Sequence, residues 1–97
     1  MYKVKYLPSF DNDLIEAEDY LFEKSPPAVD KLTDAITEQI LNIAEHPYMY
    51  PVYPGFDGLR YMTLPYRYLL FYSVDEELEN VEVYRILRGM RDIPNLL

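Results

Sequence analysis

The spacing of apolar residues changes from a helical to a strand period near residue 46, and this change constrains the fold more than any other feature. Before it, apolar residues recur at three- and four-residue steps, as on one face of a helix. They are Val29, Leu32, Ile36, Ile40 and Ile43. After residue 58, short runs of apolar and aromatic residues are separated by turn residues, a pattern typical of strands. Helices followed by strands predict an α+β domain.

Two helices are predicted between residues 9 and 46. The first begins at Ser9, a residue type that caps helices, and runs to about residue 24. Its apolar stripe consists of Phe10, Leu14, Ala17 and Leu21. Residues 25–27, Ser-Pro-Pro, end this helix and start the second, because proline is tolerated at the first helical position. The short break predicts an antiparallel helical hairpin that covers one face of a small sheet.

Four strands are predicted around these helices, at residues 2–7, 59–64, 66–74 and 81–87. Residues 47–58 contain three prolines and two glycines and form an aromatic loop. The predicted order is β-α-α-β-β-β, with an N-terminal strand, a two-helix hairpin and a three-stranded antiparallel meander. We expect one domain over residues 1–97, an antiparallel sheet, and helices on one face.

The charge distribution excludes several classes of function. The net charge is −8, and residues 11–45 hold ten acids against two lysines. Proteins that bind nucleic acid mainly through its phosphates usually carry a net positive charge, so we expect no tight direct binding to DNA by this chain alone. With no cysteine and one histidine, the sequence predicts neither a metal site nor a cofactor. No apolar run approaches the roughly 20 residues that span a bilayer, so we expect no membrane association and a cytoplasmic location.

All five arginines lie in the last third of the chain. Side chains alternate along a strand, which places Arg67 on the same face as Leu69 and Phe71. The same alternation places Arg85 with the two valines that precede it on its strand. If the helices cover the opposite face, Arg67 and Arg85 stand on an open, partly apolar surface. The alternative is that these guanidinium groups pair with carboxylates of the same fold.

Five sequence pieces in this order resemble the RelE/ParE toxins of bacterial type II toxin–antitoxin modules. They are the opening strand YKVKYL, the helix DNDLIEAEDYL, a second helix ending in AEHP, the segment LRYMTLPYRYLLFY and the ending VEVYRILRGMRD. The resemblance implies a growth-inhibiting toxin of the plasmid-stabilisation type, neutralised by a cognate antitoxin. RelE-like members cut mRNA in the ribosomal A site, whereas ParE-like members inhibit DNA gyrase.

The ending VEVYRILRGMRD favours the ParE-like branch, with gyrase as the implied target. RelE-like nucleases usually carry a basic residue in the turn after the last strand, where this chain has Gly89. The alternative is a ribosome-dependent mRNA endoribonuclease, in which Arg67 and Arg85 would stabilise phosphate charge and Tyr84 would transfer a proton. A further alternative is an inactive member that only binds its antitoxin. The predicted antitoxin- or target-binding residues are Arg60, Arg67, Leu69, Phe71, Arg85, Arg88 and Arg91.

Overall fold

The computed structural model describes residues 1–89 and 92–97. The elements are β1 (Lys3–Tyr6), α1 (Pro8–Lys24), α2 (Pro26–Glu45), β2 (Arg60–Leu64), a 3-10 turn (Pro65–Arg67), β3 (Tyr68–Asp75), β4 (Asn80–Arg88) and the short helix α3 (Ile93–Leu96). The predicted α+β order is therefore confirmed. Helix α1 begins one residue before Ser9, whose hydroxyl donates to the backbone oxygen of Tyr84 at 2.7 Å instead of capping the helix.

The four strands form one sheet in the order β1-β4-β3-β2. Strands β2, β3 and β4 make the predicted antiparallel meander. Strand β1 runs parallel to β4, with Lys3 opposite Asn80, so the expectation of a wholly antiparallel sheet is wrong for this strand. Tight hairpins force antiparallel neighbours, but both helices and the meander separate β1 from β4, so no short connection fixes their relative direction.

The main core lies between the helical hairpin and one face of the sheet. Its buried helical residues are Phe10, Ala17, Leu21, Ala28, Leu32, Ile36, Ile40 and Ile43. Its buried strand residues are Met62, Leu64, Tyr68, Leu70, Tyr72, Val81, Val83 and Ile86. The three- and four-residue spacing of the first set and the alternation of the second in β2 and β3 are what the sequence patterns predicted.

The opposite face of the sheet is not open, contrary to the sequence-based expectation. Phe71, Leu87 and Ile93 are buried there as a second cluster. Residues 92–97, here called the tail, cover this cluster from one side, and the aromatic loop covers it from the other. The ring of Tyr53 packs edge-on against the ring of Phe71 at 5.3 Å. A chain this small therefore buries apolar residues on both faces of its sheet.

A β-bulge in β4 explains why simple alternation failed. Phe71 pairs with Arg85, but the next residue, Tyr72, pairs with Val83, which leaves Tyr84 as the extra residue. An extra residue reverses the alternation of side chains beyond it. Val83 therefore faces the helices, and the expectation that it and Val81 share an open face with Arg85 is wrong.

The turn between β2 and β3 holds two consecutive residues in the left-handed region. Tyr66 and Arg67 both have φ 63°, a conformation that non-glycine residues adopt uncommonly. The backbone N–H of Gly89 donates to the carbonyl of Arg67 at 2.6 Å. A Cβ at position 89 would lie only 3.2 Å from that oxygen. This contact joins the turn to the end of β4.

Candidate functional site

Arg85 is held by Asp13 of α1 in a two-pronged ion pair. Its Nε lies 2.6 Å from Oδ2 of Asp13, and its Nη2 lies 3.0 Å from Oδ1. The backbone N–H of Ile86 also donates to Oδ2, at 3.1 Å. The Asp13 side chain is only 7% exposed and that of Arg85 20%. The expectation that Arg85 stands free is therefore wrong, and the alternative of pairing within the fold is correct for this residue.

Arg85 and Tyr84 also hold the tail. Nη1 of Arg85 donates to the carbonyl of Leu96 at 2.6 Å, and the Tyr84 hydroxyl donates to the carbonyl of Leu97 at 3.0 Å. The hydrogen bond from Arg85 to Asp13 raises the pKa of the guanidinium above its usual value, so the guanidinium stays protonated and positively charged. Charge-assisted bonds of this kind are about twice as strong as neutral ones. One arginine thus connects α1, β4 and the tail.

A groove of about 360 Å³ lies between α1 and the ends of β3 and β4. It is lined by Asp13, Glu16, Ala17, Tyr20, Tyr68, Ile86, Leu87 and Arg88. The guanidinium carbon of Arg88 lies 4.4 Å from the ring centroid of Tyr20, and the Lys24 ammonium lies 5.6 Å from the same ring. Both are cation–π distances. Arg88 is thus partly buried, with its guanidinium against Tyr20 of α1, and it lines the groove.

Arg60 supports the aromatic loop. Its Nη1 donates to the carbonyl of Tyr50 at 2.6 Å, and its guanidinium carbon lies 5.0 Å from the ring centroid of Tyr48. The hydroxyls of Tyr48 and Tyr2 both donate to the carboxylate of Glu76. These bonds lower the pKa of Glu76, and the bond to Glu76 raises the pKa of Tyr2 to about 12. The cluster joins the residue before β1, the loop and the β3–β4 turn.

The other predicted binding residues are dispersed. Arg67 is exposed in the β2–β3 turn, and Leu69 is half-buried beside the second cluster. Phe71 is fully buried and offers no surface to a partner. Arg91 lies outside the described residues. Strand β3 pairs Phe71 with Arg85, so the backbones of Arg67 and Arg85 are four residues, or about 13 Å, apart along the ladder.

Sequence reasoning missed the role of Asp13, although one signal for it exists. Phe10, Asp13 and Ala17 follow one another at three- and four-residue steps, so Asp13 occupies a core-facing position on α1. A carboxylate there requires a buried partner. The Tyr20–Arg88 contact gives no comparable signal, because Tyr20 lies at the edge of the apolar stripe.

Solved toxin–antitoxin structures share this fold. The chromosomal ParDE system from P. aeruginosa matches with a TM-score of 0.74 at 21% identity, over 91% of this chain and 96% of that chain. The intact E. coli RelBE complex matches with a TM-score of 0.66 at 15% identity, over 94% of this chain and 100% of that chain. RelBE2 from Mycobacterium tuberculosis matches with a TM-score of 0.62 at 21% identity, over 90% and 96% respectively.

The fold is therefore that of the toxins in RelBE and ParDE systems. No curated protein matches the sequence. Residues 4–93 match the family described as the ParE toxin of the type II toxin–antitoxin system parDE. The chain belongs to this ParE toxin family. Within residues 1–89 and 92–97, no helix has both the length and the apolarity needed to cross a membrane.

Proposed function

We propose that this protein arrests growth by binding a protein target, and that an antitoxin encoded beside it neutralises it. DNA gyrase is the target that the ParE resemblance implies. The observation that carries the proposal is the engagement of Arg85 and Tyr84. Arg85 is bound to Asp13 and to the Leu96 carbonyl, and the Tyr84 hydroxyl donates to the Leu97 carbonyl, so in this conformation both groups have structural partners within the fold.

The positions of the charged residues also favour a protein target over RNA cleavage. Cleavage of RNA without a metal requires a base, an acid and a phosphate-stabilising cation within hydrogen-bond reach of one phosphate. Arg85 is instead bound to Asp13 and to the Leu96 carbonyl, and Arg67 lies in the separate turn between β2 and β3. The net charge of −8 also opposes association with an RNA-rich surface.

Antitoxin pairing is supported by the structural relatives. The matches include a ParDE system and two RelBE complexes, each of which is described as a toxin–antitoxin assembly. We propose that this chain forms the corresponding pair with the product of the neighbouring antitoxin gene. The proposed site of action is cytoplasmic.

Two assays on the purified protein test the target. Incubation with gyrase and supercoiled DNA is expected to accumulate cleaved DNA–gyrase complexes, and incubation with translating ribosomes is expected to leave mRNA intact. Cuts in ribosome-bound mRNA that disappear in the Tyr84→Phe variant would establish the nuclease alternative. If the protein neither arrests growth in cells nor has an effect in either assay, it is a family member that only binds its antitoxin.

A matched pair of variants separates loss of function from loss of fold. Arg88→Gln removes a cation that lines the groove, whereas Arg60→Gln removes one that is bonded to the aromatic loop and does not line the groove. Both variants should remain folded by circular dichroism. We expect Arg88→Gln to reduce gyrase inhibition more than Arg60→Gln does, because Arg88 lines the groove whereas Arg60 is bonded to the aromatic loop.

A further inference from the structure

We infer that one end of the molecule contacts the protein target and binds an acidic segment of it. This inference rests on the proposed function and specifies which surface acts and what chemistry it recognises. The surface is formed by the end of β4, the β2–β3 turn and the C-terminal part of α1. We call it the cationic end, and its residues are Tyr20, Lys24, Tyr66, Arg67 and Arg88.

Contacts within the fold bring the members of the cationic end together. The Tyr20 ring centroid lies 4.4 Å from the guanidinium carbon of Arg88 and 5.6 Å from the ammonium nitrogen of Lys24. Arg88 pairs across the sheet with Tyr68, which directly follows Arg67 in the chain. Three cations therefore lie at one end of a chain whose net charge is −8.

Charge is divided between the two ends of the sheet. Four acids lie at the other end of β3 and β4, in or beside the turn that joins these strands: Asp75, Glu76, Glu77 and Glu79. Across residues 1–89 and 92–97, neither Lys24 nor Arg88 forms an ion pair with a carboxylate. Cations of this kind complement the carboxylates of a partner.

The conformation of the β2–β3 turn is a second and independent observation. Tyr66 and Arg67 both have φ 63°. Asparagine and glycine are the usual residues at two consecutive positions of this conformation, because other side chains are strained there. Tyr66 is 40% exposed and Arg67 is exposed as well, so neither side chain fills the core. Backbone strain is concentrated at functional sites, so an exposed ring and guanidinium at strained positions indicate a contact with a partner.

An acidic protein segment fits the cationic end better than nucleic acid does. A phosphate backbone carries its charge far beyond three cations, and the acidic remainder of this chain would repel it. A short segment that contains aspartate or glutamate meets the cations alone. The planar guanidinium of arginine matches a carboxylate in geometry as well as in charge.

The test compares charge reversals at the two ends of the molecule. Lys24→Glu and Arg67→Glu reverse exposed cations of the cationic end. Lys3→Glu is the control, because it reverses an exposed lysine of β1 that lies opposite Asn80, where β4 begins. Calorimetry measures the Kd of each full-length variant for purified gyrase, and circular dichroism checks the fold. We expect each variant of the cationic end to raise Kd at least fivefold and the control to change it less than twofold.

Two further variants separate binding from a structural role. Glu16→Gln removes an exposed acid that lines the groove beside Arg88, so it should tighten the binding of an acidic partner. Weaker binding would instead show that the partner is basic and would overturn the inference. Tyr66→Gly removes the exposed ring but relieves the left-handed strain, so it should weaken gyrase binding without lowering Tm. Unchanged gyrase binding in this variant would contradict a contact at the turn.

The outcomes also separate this inference from the proposed function. Equal changes of Kd in the variants of the cationic end and in the control would overturn the inference and leave gyrase as the target. No binding by the unaltered protein would remove gyrase as the target and the inference with it. Binding of the unaltered protein to duplex DNA alone, lost in Lys24→Glu, would show nucleic acid as the occupant. Self-association lost in the same variant would show a second copy, and either result would overturn the inference.

Discussion

The two faces of the sheet are both buried, but they are covered by different means. Two long helices cover the first face and bury residues along their whole length. A four-residue helix and an aromatic loop cover the second, whose fully buried members are Phe71, Leu87 and Ile93. The first cover is stabilised by apolar area. The second depends in addition on polar bonds from Arg85 and Tyr84 to the tail.

Because of this difference, we expect the tail-covered face to open at a lower free energy than the helix-covered face. Burial contributes roughly 25 cal/mol for each Å² of apolar surface, so the larger cover is the more stable one. A small cover opens locally at a lower free energy than the whole domain. The tail is therefore expected to detach before the domain unfolds.

The largest effect is expected in the main core. Leu32 is fully buried between α2 and the sheet, so Leu32→Ala should lower the free energy of unfolding by about 2–5 kcal/mol. Chemical denaturation followed by circular dichroism measures this. Leu41→Ala, at a 58% exposed position of the same helix, is the control and should change stability by about 0.5 kcal/mol or less. Similar losses in the two variants would contradict the assigned core.

The next largest effect is expected at the ion pair that links the two faces. Asp13→Ala leaves Arg85 and the N–H of Ile86 without their acceptor, and should cost about 2–4 kcal/mol. The double variant Asp13→Ala with Arg85→Met should recover part of that loss, because no unpaired charge remains. An Asp13→Ala loss no greater than that of Asp11→Ala would show that the pair contributes nothing to stability.

A smaller effect is expected at the tail. Ile93→Ala removes a buried side chain from the second cluster, but the loss is limited by the free energy of tail docking, which we expect to be about 1–2 kcal/mol. Hydrogen exchange should show faster exchange at Leu97, whose N–H donates to the Ile93 carbonyl, and unchanged exchange in α2. Equal acceleration in α2 would mean that the tail and the main core unfold as one unit.

The smallest effect is expected at the exposed carboxylate of Glu76. Bonds from Tyr48 and Tyr2 lower its pKa below the usual 4.5, so ionised Glu76 stabilises the fold at neutral pH and this contribution is lost as the pH falls through its folded pKa. Glu76→Gln should therefore lower Tm slightly at pH 7 and have no effect well below pH 4.5. Glu77→Gln is the control, and a Tm change that persists in acid would contradict the role of this carboxylate.

The sequence predicted the elements better than the site. Helix ends follow from local chemistry, such as the prolines at 26 and 47, and the predicted strands match within two residues. The face of Arg85 depends on the bulge at Tyr84, and no residue type near it signals an extra residue. The cover over Phe71 depends on a tail whose short apolar run has no period of its own.

The parallel pairing of β1 with β4 affects when this protein can fold during its synthesis. Lys3 pairs with Asn80, so the first strand has no partner until residues 80–83 have been synthesised. Contacts between such distant segments form late and slow the folding of a domain. The four-stranded sheet, on which any toxic activity would depend, therefore assembles only after β4 has been synthesised.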